Sequence, residues 1–297
     1  MLIKKAPYLF FAFTILLAGF SCVPQKKVGS TKKELATVDS QLVKHNEKLK
    51  ELEEQREKKQ AGNEIDDTAS ARIQKFIDKT KAEISELHQQ NTILIGTVEV
   101  NKTDWDRLRK SLSVSRHANR SINDKIMMLT DLINRNTVIN LDQDVIFEPG
   151  KYTVSPVVVN AIGKFFEPAA KEIDLFAKKY PDFPMSLVIT AKGYADATTI
   201  AEGSALYKDL KEKISLSGRP PTSENLNKEL STARAKSVID LFTSFTDGRS
   251  ATGGNISKII YLHEGKGESL PDPKISDYKV DDPRRRIVLL FWSVFPD

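Results

Sequence analysis

A single cysteine, Cys22, stands in 297 residues, so no disulfide can form within the chain. Histidine is almost as scarce. His45, His88 and His117 fall on a polar helical stretch, and none has the i, i+4 partner or neighbouring carboxylate pair that a metal site needs. No metal is therefore expected. A glycine-rich phosphate loop, a Cys/His cluster and a nucleophile beside a base are all missing, and the remaining histidine, His263, lies at the end of an expected strand, so neither catalysis nor a cofactor is expected. Both signs of charge are interspersed around a net +5, without a dense Lys/Arg block interleaved with aromatics, which argues against a nucleic-acid partner. The apolar run from about Pro7 to Phe20 falls short of the ~20 residues of a bilayer span. What is present is ordinary for a folded protein: 40% hydrophobic and 29% charged residues, enough chain for one or two domains.

Lys4 and Lys5 ahead of that short apolar run have the layout of a secretory signal over residues 1–21. Leu17-Ala18-Gly19-Phe20-Ser21-Cys22 resembles a bacterial lipobox, with small Ser21 before the cysteine, although Gly19 and Phe20 depart from the usual pattern. The resemblance implies that Cys22 becomes the lipid-modified first residue, held by several acyl chains where a single chain binds only marginally. Val23 follows in place of the aspartate of inner-membrane retention, which implies the outer membrane, periplasmic face. The other reading is an uncleaved signal anchor in the inner membrane. Residues 22–30, with Pro24, Lys26, Lys27 and Gly29, read as a polar tether.

Residues 31–136 carry a heptad. From Ile73 the d positions run Ile73, Thr80, Leu87, Leu94, Asn101, Leu108, Ser115, Ile122 and Leu129, and the a positions run from Ile77 through Val98 and Trp105 to Ile133, the pattern of a coiled coil. As one rod, Thr68 to Arg135 would reach on the order of 100 Å. Leu35, Val38, Leu42, Leu49 and Leu52 obey the same rule earlier, but Gly62-Asn63 interrupts as a turn signal. Two arrangements follow: a hairpin near residues 61–67, slightly preferred because a new helix start follows, or one rod with a solvated interruption. The seam beyond the short first helix needs cover in either case, so self-association is expected. Asn91 and Asn119 at a positions either set register and strand number or are tolerated interruptions.

Residues 137–297 change character. A strand is expected at about Asp144 to Phe147, a helix over Val157 to Lys179, a strand over Ser186 to Thr190, a helix over Glu229 to Thr243, and strands over Asn255 to Leu262 and Arg286 to Val294. The order β-α-β-α-β-β predicts an α+β fold, a mixed sheet with helices on one face, preceded by the long α-helical coiled coil.

Five motifs lie in order across this half: Val145-Ile146-Phe147-Glu148-Pro149-Gly150, Gly193-x-x-Asp196, Asn227-x-x-Leu230-Ser231-x-x-Arg234-Ala235, Gly265-x-Gly267-Glu268-x-x-Pro271 and Arg285-Arg286-Ile287. Together they resemble the OmpA-like peptidoglycan-binding domain family. The resemblance implies a non-catalytic protein that binds the diaminopimelate of peptidoglycan stem peptides and, through its lipid anchor, ties the outer membrane to the cell wall. It places Asp196 on the ligand ammonium and Arg234, forked, on the ligand carboxylate, with Asn227, Leu230, Phe147 and Gly193 shaping the pocket. Of Arg285 and Arg286, one is expected to support the pocket and the other to be surface, and Arg234 is expected to point into solvent without ligand. A MotB-like stator or other inner-membrane-anchored component shares this order of segments, although the apolar run has no aspartate to carry ions. The insertion at residues 197–226, with an expected helix at Ala205 to Ile214 and a Gly218-Arg219-Pro220-Pro221 loop, departs from the family spacing.

Overall fold

The computed structural model of the chain describes residues 25–98, 100–135, 137–214, 220–246 and 255–296. The signal, Cys22 and Gly218-Arg219 lie outside the described residues. The described chain divides into two compact units, residues 25–49 with 79–126, and residues 50–78 with 127–296.

The first unit draws on three helices, α1 (Gln25–Ala61), α2 (Asp67–Gly96) and α3 (Lys102–Asn134). Residues 25–30, read as tether, are already helical. The reason is Val28, which is buried with Leu35, Val38, Leu108 and Leu112 while Lys26, Lys27 and Gly29 face outward. Leu94, Ile95, Val100 and Trp105 pack against the same cluster. Asn91 settles its own role. Its side-chain oxygen accepts from Ser115 Oγ at 2.8 Å, and its amide reaches Asp39 Oδ1 at 3.5 Å, so one buried asparagine ties the three helices in register. His88 Nδ1 sits 3.0 Å from both carboxylate oxygens of Asp39.

The unbroken rod expected from Ile73 onward is two helices instead, of 30 and 33 residues. Helix α2 ends at Gly96, and α3 starts on a reciprocal cap in which Asn101 Oδ1 accepts from Asp104 N at 2.9 Å and Asp104 Oδ2 from Asn101 N at 3.4 Å. Val98, an expected core position, is 92% exposed. The heptad count ran through this break because the connecting loop happens to preserve the frame. Within each helix most core positions are buried, among them Ile77, Ile84, Ile122 and Ile133.

In the second unit the end of α1 and the start of α2 run antiparallel around a turn at residues 62–66, where Asn63 adopts a left-handed φ of 53°. Arg56 donates to Ser70 Oγ at 2.5 Å, and Gln60 to Asp67 Oδ1 at 3.0 Å, across the hairpin. Asp66 caps α2 through Thr68 N at 3.0 Å. The end of α3 is held by Asp131, which accepts from the Tyr180 hydroxyl at 2.6 Å and from Lys179.

The sheet follows, with strands β1 (Val138–Asp142), β2 (Met185–Gly193), β3 (Ile256–Gly265) and β4 (Ile287–Pro296) in the order β1-β4-β2-β3. β2 and β3 are parallel, and β4 is antiparallel to both β1 and β2. The opening strand therefore lies at Val138–Asp142 and not at Asp144 to Phe147. Asp142 accepts from Asp144 N at 2.9 Å and so starts the short helix α4 (Gln143–Ile146), while Phe147 keeps only an isolated bridge to Val154. Helices α5 (Pro156–Lys179) and α7 (Ser223–Thr246) cover one face, joined by the edge-on pair of Phe166 and Phe242 with ring centres 4.9 Å apart.

The opposite face is also covered. Thr190, Lys192, Phe291 and Phe295 share that face by strand register, and the hairpin tip of α1 and α2 lies on it. Lys192 Nζ is 3.1 Å from Asp66 Oδ1 and 2.8 Å from Asp67 Oδ2, Thr190 Oγ1 donates to Asp66 at 3.2 Å, and Arg72 lies over the Phe295 ring. Every residue of β2 is buried, and its polar residues Ser186, Thr190 and Lys192 alternate onto the face that the hairpin covers.

Candidate functional site

β2 ends at Gly193, and α7 crosses it in direct contact. A Cβ on Gly193 would lie 2.1 Å from the Ser231 carbonyl oxygen, and one on its register partner Gly265 would lie 2.2 Å from Thr232 Oγ1, so the two glycines form a notch that seats α7. Ser231 closes the seat from the helix side, its Oγ accepting from Gly267 N at 2.9 Å. Much of the motif spacing is thus explained by packing.

The seated helix brings Arg234 over the short α4. Burial leaves Arg234 only 7% exposed, with Nε donating to Lys151 O at 3.1 Å, Nη1 donating to Gln143 Oε1, and the guanidinium 5.4 Å from the centre of the Phe147 ring. The expectation that Arg234 points into solvent is therefore wrong: Gln143 and the Lys151 carbonyl draw the guanidinium inward. Burial pushes its pKa down to about 10, while Asp144 and Asp196 act in the other direction.

Gln143 is the residue that sequence reasoning missed. Its amide donates to Tyr194 O at 2.6 Å and Ile287 O at 3.0 Å, which fixes its oxygen toward Arg234. No spacing rule marks it, because it acquires this role only once β1 has paired with β4.

Asp196 lies just beyond the end of β2 and is also 7% exposed. It accepts from Thr198 N at 3.2 Å and Thr198 Oγ1 at 2.5 Å on one oxygen, and from Arg286 Nη1 at 2.9 Å on the other. Arg286 also holds Asp144, with Nη2 2.6 Å from its Oδ2. Of the two arginines left open by the sequence, Arg286 belongs to the cluster. Arg285 is not surface either: it is buried and donates to the carbonyls of Lys279 and Glu268.

Burial works to raise the Asp196 carboxyl, yet the Thr198 and Arg286 hydrogen bonds bring it below its ordinary value. A carboxyl depressed by folding contributes stability above its unfolded pKa of about 3.9 and loses that contribution as pH falls through the folded value. Thermal melts of the wild type should therefore fall on acidification below about pH 4, and Asp196→Asn should flatten that part of the profile. Parallel profiles for the two proteins would show that Asp196 is not the titrating group.

The other expected residues divide. Asn227 donates to Thr198 O at 3.1 Å and Glu268 Oε1 at 2.8 Å, so it ties the loop bearing Asp196 to the loop of the Gly265 motif. Leu230 instead packs with Leu226 and with Leu210 of α6 (Ala205–Lys213), the helix of the insertion. Phe147 lies under Arg234, and Gly193 serves the close approach of α7. Asp196, Arg234, Arg286 and Asp144 form one charged cluster, with Gln143 hydrogen-bonded to Arg234.

No protein-family model matches the chain, and no curated protein matches it. Among solved structures, two crystal structures of the periplasmic domain of MotB from Helicobacter pylori are similar. One is 16% identical, covering 52% of this chain and 74% of that chain with a TM-score of 0.27. The other is 14% identical, covering 52% and 78% with a TM-score of 0.24. Scores this low carry no weight, and the α+β assignment rests on the strand order and the helices of this chain.

Proposed function

We propose that this protein is a non-catalytic envelope protein whose residues 137–296 bind peptidoglycan through the diaminopimelate side chain of its stem peptides. The observation that carries this reading is the convergence of Asp196 and Arg234, which are separated by the insertion in sequence, on one cluster with Arg286 and Asp144. Diaminopimelate ends in an ammonium beside a carboxylate. The ammonium would join Asp196 and the carboxylate the guanidinium of Arg234, each by charge-assisted hydrogen bonds. Because Arg286 already occupies one oxygen of Asp196, ligand binding would require the two cations to share it or Arg286 to turn toward the ligand carboxylate. Asn227 and Gln143 act as positioning residues.

With a lipid on Cys22, the helices between anchor and binding domain would join the outer membrane to the wall. Full-length protein should sediment with purified sacculi, and Asp196→Asn, which keeps the side-chain shape, should remain folded by thermal melt and lose most of the retention. Undiminished retention by a folded Asp196→Asn would remove Asp196 from the site. Fatty-acid labelling that vanishes in Cys22→Ser supports the outer-membrane tether. A protein that takes no label would instead be an inner-membrane-anchored component of MotB-like layout.

A further inference from the structure

The first helical unit carries a groove of about 600 Å³ between the start of α1 and the middle of α3. Lys27, Arg109, Arg116, Arg120 and His117 line it, together with Trp105. Among these groups Arg116 pairs with Glu34 at 2.5 Å, which leaves an excess of positive charge around the opening. Trp105 is half-buried, packed against the cluster of Val28, Leu35 and Leu108, and the guanidinium of Arg109 lies 6.0 Å from its ring centre.

We propose that this groove binds a phosphate-bearing ligand of small-molecule size, an inference independent of the wall-binding site. Four features support that chemical class. The volume suits a small molecule. The guanidiniums of Arg109 and Arg120 offer planar donor forks, which match phosphate oxygens better than ammonium groups do, while that of Arg116 is shared with Glu34. The Trp105 ring supplies a flat apolar wall for the organic part of the ligand, held in place by the packing beneath it. The position is the fourth: Lys27 lies five residues after Cys22, so in a lipidated protein the groove would be close to the membrane headgroups. A phospholipid headgroup and a soluble organic phosphate present the same group, and the test separates them.

Full-length protein in a neutral detergent is titrated with inorganic pyrophosphate in one arm and with phosphatidylglycerol doped into the micelles in the other, with phosphatidylcholine as reference. Tryptophan emission reads both arms, since Trp105 lines the groove and the other tryptophan, Trp292, is only 3% exposed within β4. The double variant Arg109→Gln, Arg120→Gln removes two cations with exposed side chains, and far-UV circular dichroism checks that it folds. Binding in either arm, weakened roughly twenty-five-fold in the double variant (about fivefold per cation) and weakened by added salt, supports the proposal. A response to pyrophosphate identifies a soluble phosphate as ligand, and a response to phosphatidylglycerol alone identifies a headgroup. No response in either arm, or equal binding by the folded double variant, overturns it. Sacculus retention depends on residues 137–296 and should not change in this variant.

Discussion

Lys192→Ala is expected to destabilise the second unit by about 3 kcal/mol, the low end of what breaking a buried ion pair costs. The side chains of Lys192 and Asp66 are each 3% exposed, so removing the cation leaves a carboxylate inside the protein without its counter-charge. The cost stays at the low end because Asp66 retains Thr190 Oγ1 and the amides of Thr68 and Ala69. Asp67, nearer solvent, loses a partner too, but an exposed carboxylate is rehydrated cheaply. Adding Asp66→Asn to Lys192→Ala should recover part of the loss, because asparagine still caps α2 and buries no charge. Denaturant unfolding of the wild type, Lys192→Ala, Asp66→Asn and the double variant checks this as a double-mutant cycle. A loss under about 1 kcal/mol for Lys192→Ala would mean that the hairpin tip is not held by this pair.

Arg234→Lys is expected to damage both folding and binding. Lysine keeps the charge, but it has no second nitrogen with which to serve Lys151 O and Gln143 Oε1 together, and it covers the Phe147 ring less well. One buried acceptor left unpaired costs about 1–3 kcal/mol, which should appear as a lower melting temperature. Binding should weaken further, because a ligand carboxylate meets a point charge in place of the fork. An unchanged melt together with weakened binding would restore the picture of a solvent-facing arginine and contradict the geometry at Gln143.

Apolar spacing made the helices of this fold legible but not their ends: the heptad runs through the break between α2 and α3. Apolar residues at helical spacing mark α5 well, and the short α6 was placed within one residue of its end. The opening strand was misplaced because Val145-Ile146-Phe147 is apolar, with two β-branched residues and an aromatic, whereas the actual strand, Val138–Asp142, is paired through its register with β4, a long-range fact. Helix α7 begins six residues before the expected Glu229, because Thr222 and Asn225 cap one another beyond the reach of the motif. At the site, Asp196 and Arg234 were singled out by the resemblance of their motifs to a known family. Local pattern could not show that Gln143 would turn Arg234 inward, or that Arg286 would already hold Asp196, since both depend on strands distant in sequence meeting in the sheet.

The site can be tested most directly by calorimetric titration of the full-length protein with two stem peptides, one carrying diaminopimelate and one carrying lysine at the same position. The two differ only in the terminal carboxylate. Pairing of that carboxylate with Arg234 predicts binding of the diaminopimelate peptide and a loss of roughly 2 to 5 kcal/mol for the lysine peptide, the cost of leaving one partner of a desolvated charge pair unmatched. Equal affinity for the two peptides, or none for either, would contradict it.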